Sequence, residues 1–391
     1  MKTNKSLISI IILLFLTLSL GSFIVNIYTD WLFFLELEYK SVFLQVISTQ
    51  LLLGLVFFLA SLTFVAVNLI IAHRTSFPSV ELFFDGQTRV SLNIEQLAKW
   101  IKPLSFILAV LFSLFVGLWG SSLWKEFLLF RHRMNVNLND PLFNQDLSFY
   151  LFILPFFDYI KSYSGFVIFT TLFIVFLNYL LRGGIVLKER FVSVDKKVKQ
   201  HLGILGGLFL IAISFGFYLD RFHLLYSSEG LIFGAGYTDV HSRLLALWAL
   251  FVVTFLSGIF FLFGLAKSSW KTVVFPLGAI GIIYIVGFTA YPSLLQNFRV
   301  APNELALEKE FIEHHIKFTR FGYDLDRIDV RPFDVSYNLT SDDIKNNNAT
   351  IKNIRLWDDT PLLRTYSQLQ QIRTYYSFKD VDNDRYTING E

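Results

Sequence analysis

The chain has 391 residues, of which 54% are hydrophobic and 17% charged, with a mean hydropathy of +0.52 and a net charge of +3. Soluble domains carry about 25% charged residues, so this composition excludes a disordered chain, a collagen-like chain and a nucleic-acid binder, and it points to lipid as a second solvent. Cysteine is absent, which excludes disulfides, thiolate metal sites and cysteine nucleophiles.

Taken in chain order, seven stretches have the length and apolarity of a transmembrane helix, at 7–28, 43–72, 104–124, 164–181, 202–219, 244–265 and 273–291. The first resembles a signal peptide in its basic start at Lys2 and Lys5 and its small residues Ser19 and Gly21. The apolar run nevertheless continues to Tyr28, which favours an uncleaved span. With the N-terminus inside, the inner loops hold 14 Lys and Arg and the outer loops 7. The positive-inside rule therefore places the N-terminus in the cytoplasm and the C-terminus outside a plasma membrane.

Composition changes after Tyr291. Residues 292–391 hold 13 basic and 16 acidic residues. We expect here the start of a soluble, extracytoplasmic α+β domain, incomplete at Glu391. Asn303 and Glu304 suit a helix start, with Leu305, Ile312 and Ile316 as its seam and an end before Gly322. A second helix is expected from Thr360 as N-cap and Pro361. Alternation predicts strands at Thr350–Leu356 and Tyr386–Ile388.

Several segments together resemble a known family. They include Asp140-Pro141-Leu142-Phe143, the run from Asp146 to Phe152, Gly236-Tyr237-Thr238-Asp239-Val240-His241, Val300 to Leu305, Asn353 to Asp358, and Asp380 to Tyr386. On these the chain is similar to the bacterial membrane proteins of uncharacterised protein family 0182. The resemblance implies seven N-terminal spans, a large extracytoplasmic domain that runs past this end, and no established activity.

Five constellations carry candidate chemistry. Asn26, Gln50, Asn68 and Asn178 are the notable polar residues of the spans, the last two near span ends, and interhelical hydrogen bonds or snorkelling account for them. The lack of intramembrane charge argues against ion-coupled transport. Gly203 and Gly207 form a GxxxG, read as a packing contact within the bundle, with a homo-oligomer face as the sharper alternative. Phe149, Tyr150, Phe152, Phe156 and Phe157 suggest an interfacial helix at the outer leaflet, capped by Asp140 or Asp146; the alternative is a fourth span that starts early and kinks at Pro155.

The fourth and fifth constellations lie in the tail. Asp380, Asp382 and Asp384 are the metal candidates, for Ca²⁺ or Mg²⁺, with a charged turn neutralised by Arg385 as the alternative. Glu310, Glu313, His314 and His315 cluster on the first tail helix, where a solvated face is the plainer reading. No catalytic or other cofactor-binding residues emerge. The function read from sequence is a non-catalytic envelope scaffold or assembly factor engaging lipid, cell-wall material or another protein. A conduit for an apolar or lipid-linked substrate and an envelope enzyme using tail carboxylates are the alternatives.

Overall fold

The computed structural model describes residues 21–22, 24–75, 82–84, 88–90, 94–188, 191–264, 271–354, 358–370, 377–382 and 386–388. Most of the first expected span therefore lies outside the described residues. Of it, helix α1 is seen at 24–36. Among the described residues, six helices are long and apolar enough to cross a membrane, and they match the second to seventh expected spans.

These are α2 (Lys40–Arg74), α3 (Ile94–Ser121), α5 (Leu154–Leu181), α6 (Lys196–His223), α7 (Leu244–Gly264) and the run that begins with α8 (Lys271–Ile285). The short α4 (Trp124–Arg131) lies between α3 and α5. Two hairpins join spans at the opposite end of the bundle from α4: β1 (Leu82–Phe84) with β2 (Thr88–Val90), and β3 (Ile185–Lys188) with β4 (Phe191–Val194). These strands fall in loops that no alternation had marked.

Two helix pairs come together through glycine. A Cβ on Gly117 of α3 would stand 2.9 Å from the Gly54 carbonyl oxygen of α2. A Cβ on Gly207 of α6 would stand 2.7 Å from the Gly258 carbonyl oxygen of α7. Small residues let backbones approach where apolar side chains gain nothing by leaving lipid. Gly203 is also buried on α6.

Three expectations need correction. First, the aromatic segment is no separate interfacial helix. A π-helical turn at Phe149–Ile153 runs straight into α5; Pro155 lies just past it and cannot donate to the preceding turn, and the Leu154 amide bonds back to the Phe149 carbonyl in the wider π register. Tyr150 is buried, and Phe149 and Phe157 pack around Leu154, Leu219 and Phe222.

Second, the last span does not stop at Tyr291. It continues as one helical run through α9 (Tyr291–Leu295) and α10 (Glu304–Gly322), joined by π turns at Val286–Ala290 and Gln296–Val300 and a 3₁₀ turn at Ala301–Asn303. Asn303 precedes α10, but its side chain makes no capping bond.

Third, an α+β tail is not supported. The described tail is helical or irregular: α11 (Ser341–Asn346), α12 (Asn348–Lys352) and α13 (Asp359–Gln370). The expected strand at Thr350 is helical because the Asn347 carbonyl accepts the amides of Thr350 and Ile351. Alternating residues make a strand only beside a partner that completes the ladder. Tyr386–Ile388 has no regular structure. Helix α13 begins one residue before Thr360, and the Asp358 carboxylate accepts the Thr360 amide at 3.1 Å.

The chain forms two compact units, Met1–Tyr323 and Asp324–Glu391.

Candidate functional site

The α4 end of the first unit is built around two acidic turns. Asp140 is buried, and its Oδ1 accepts the amides of Leu142 (2.9 Å) and Phe143 (2.6 Å). Its Oδ2 accepts the Gln145 amide and the Tyr150 hydroxyl, each at 2.8 Å. All its lone-pair directions are used, so the loop before α5 is wound on this one carboxylate. Asp146 accepts the amides of Val136, Asn137 and Ser148 and caps the helix start. These bonds, with that of the Ser148 side chain foremost, hold its carboxyl down at about 2.

Across from that loop, the segment before α7 is locked to α10. The Glu308 carboxylate is buried and accepts the Tyr237 amide at 3.1 Å through both oxygens. Gly236 leaves the room: a Cβ there would lie 3.1 Å from Glu308 Oε2. Asp239 accepts the Gly236 amide and a 2.6 Å bond from Arg243, which also pairs with Glu229. The Thr238 hydroxyl donates to Gln296 at 2.5 Å, and Arg299 stands over the Tyr237 ring. A π turn opens α7 at Asp239–Arg243. Four π turns thus gather at this end of the bundle, and such turns are often found where a site re-aims side chains.

Between these two locks lies a cavity of about 470 Å³. Its walls are mostly apolar, from Leu142, Leu151, Leu225, Ile232 and Phe318 among others. Polar groups come from α10 (Glu310, His314, His315) and from His241, whose ring stacks on Tyr237 at 3.9 Å. Asp140 also borders it, with its acceptors already occupied. Pockets of this size and lining take small apolar or amphiphilic molecules.

The structure therefore brings three segments of the family resemblance together: the Asp140 turn, the Gly236–His241 segment and the start of α10. It places Glu310, His314 and His315 on the cavity wall, while Glu313 is exposed. The metal candidates belong to the second unit. Asp380 and Asp382 are exposed in the second unit, and Asp384 and Arg385 lie outside the described residues. Among the described residues, no group of three His, Asp or Glu side chains is placed to hold a metal ion.

Two polar networks join residues far apart in the chain, and of their members only Asn68 and Asn178 were marked by the sequence. Lys161 reaches Asp220 at 2.8 Å and Asp158 at 3.5 Å, and His223 bonds Asp158 at 2.8 Å, joining α5 to α6. At the hairpin end, His201 lies between the Tyr179 hydroxyl (2.8 Å) and Asn68 Oδ1 (2.9 Å). Asn68 spends its amide on the Phe64 carbonyl. The network is therefore satisfied when His201 Nε2 donates to Asn68 and Nδ1 accepts from Tyr179. Asn178 reaches His73, so both asparagines bond across helices.

Relatives are numerous. A UPF0182 protein of Geobacter sp. (strain M21) is 44% identical over 94% of this chain and 41% of its own length. One of Pelobacter propionicus is 46% identical over 97% of the chain and 42% of its own. One of Geobacter sulfurreducens is 44% identical over the whole chain and 44% of its own. This chain thus spans about two-fifths of the length of these relatives. No solved structure matches. Residues 7–391 match the family described as Uncharacterised protein family (UPF0182), and the chain belongs to it.

Proposed function

We propose that the chain is the membrane portion of a non-catalytic envelope scaffold that holds an apolar or lipid-linked envelope component in the cavity beside Tyr237. The observation that carries this reading is the cavity itself. It is roomy and mainly apolar, with Glu310, His314 and His315 lining it from α10 and His241 from the turn that opens α7. An amphiphile fits that division, with its tail on Leu225 and Ile232 and its head toward His314 and Glu310. Orientation in the plasma membrane, with the N-terminus cytoplasmic and the C-terminal part from residue 292 outside, is supported by the 14 to 7 distribution of Lys and Arg.

An enzyme is less well supported, because Asp140 is committed to four donors and leaves Glu310 as the available carboxylate among the described cavity residues. Transport is less well supported because the carboxylates between α5 and α6 are already engaged, Asp220 by Lys161 and Asp158 by Lys161 and His223.

The test is purification of the full-length protein from native membranes, followed by mass spectrometry of what it retains. Ile232→Trp narrows the cavity from a half-buried position. A retained amphiphile lost in that variant, with the melting temperature unchanged, supports the reading. Equal retention by both proteins overturns it.

A further inference from the structure

Arg221 belongs to neither polar network. It stands two residues past Leu219, where the apolar stretch of α6 ends, and is 5% exposed. Its guanidinium carbon lies 3.8 Å from the Trp248 ring centre and 4.0 Å from that of Tyr218. Its Nε donates to the Tyr218 carbonyl at 3.0 Å. Among the described residues, no carboxylate pairs with it. The adjacent Asp220 is turned to Lys161.

A guanidinium stays charged in any protein setting, and an uncompensated cation at the edge of hydrocarbon is costly. The two rings, which meet edge to face at 85°, offset part of that cost, and no acceptor for the terminal N–H groups is found among the described residues.

The surroundings indicate where that acceptor comes from. Trp248 is 42% exposed, and Phe215 and Phe255, also on α6 and α7, are each 39% exposed. Phe215 stacks on Tyr218, and Phe251 on Phe255. Trp and Tyr, whose rings carry a polar tip, collect at headgroup depth, and Trp248 and Tyr218 are of that kind. Below them the same face offers acyl-chain contacts.

We propose that Arg221, held against the Tyr218 and Trp248 rings, binds a phosphate group, with an anionic phospholipid of the surrounding bilayer as its source. Two N–H groups of a planar fork match two phosphate oxygens, a geometry that an ammonium cannot reproduce. The site is distinct from the cavity and rests on the lipid setting of the helices alone.

The full chain is reconstituted in phosphatidylcholine nanodiscs with and without phosphatidylglycerol, and bound lipid is counted by native mass spectrometry. Phosphatidylglycerol should be retained over phosphatidylcholine. Arg221→Gln should weaken that retention about tenfold, and Arg221→Lys should restore only part of it. Added inorganic phosphate distinguishes the sources: no competition identifies the lipid, whereas competition identifies a free phosphoryl anion at the same site. Should Arg221→Gln fail to fold, Trp248→Leu removes one of the two rings from an exposed position and should weaken retention severalfold. Folded variants that retain phosphatidylglycerol as the parent does, or a parent with no preference between the lipids, overturn the proposal.

Discussion

Replacing Gly207 with alanine should loosen the contact between α6 and α7, and its neighbour supplies the control. The added Cβ would lie 2.7 Å from the Gly258 carbonyl oxygen and 2.9 Å from Leu262 Cγ. Carbon and oxygen rest at about 3.3–3.6 Å, so the helices must part by roughly 0.6–0.9 Å at that point. The obstacle is backbone, which cannot rotate away as a side chain would. The facing site repeats the problem, since a Cβ on Gly258 would meet the Gly207 carbonyl oxygen at 2.9 Å and the Ile211 nitrogen at 3.2 Å. Overpacking of this kind costs about 1–3 kcal/mol.

At Gly206, in contrast, the nearest atom would be Phe261 Cδ1 at 3.5 Å, an ordinary contact. There alanine should be neutral or add up to about 1 kcal/mol through helix propensity. The assay is thermal melting of the purified chain in detergent and in lipid. Gly207→Ala and Gly258→Ala should each lower the midpoint, while Gly206→Ala and the open-faced Gly278→Ala should not. Equal midpoints for Gly206→Ala and Gly207→Ala would refute the close approach.

Four further outcomes are expected. Asp140→Ala strands three amides and the Tyr150 hydroxyl, so it should destabilise by about 3 kcal/mol or more, whereas Tyr150→Phe should cost about 1 kcal/mol, both read by melting. Asp146 has its carboxyl lowered from 3.8 to about 2, so its contribution is complete above pH 3.8 and is lost as the pH falls through about 2. Hydrogen exchange at Val136 and Asn137 should accelerate over that window, and Asp146→Asn should abolish the pH dependence. Glu308→Ala should destabilise by about 1–3 kcal/mol and expose the Tyr237 amide to exchange, with Glu308→Gln milder because it keeps an acceptor. Single cysteines at Ser193 and Ser341, in a chain that has none, should label oppositely with an impermeant thiol reagent in intact cells; Ser193 reacting while Ser341 stays silent would reverse the topology.

The membrane helices were legible in the sequence because their signal is additive. About 20 consecutive apolar residues declare a span whatever they pack against, and six of the expected spans meet six such helices. The pairing of Asn68 and Asn178 across helices was legible for a similar reason, since an amide in hydrocarbon must find a partner. Local acidic turns were partly readable too: Asp146 does cap a helix.

What the sequence could not carry was the identity of partners distant in the chain. Nothing near Glu308 marks it as the acceptor for an amide 71 positions earlier. Nothing near Lys161 points to Asp220, or near His201 to Asn68. His314 and His315 read as a solvated helix face until the Gly236 segment closed a cavity against them. The tail shows the reverse failure. Alternation over Thr350–Leu356 is a local pattern, but a strand needs a neighbour to take its hydrogen bonds. Beside Asn347 the local helical bonds are made instead. Hydrophobicity is summed along the chain and survives in the sequence, whereas hydrogen-bond partnership is decided only by which helices meet.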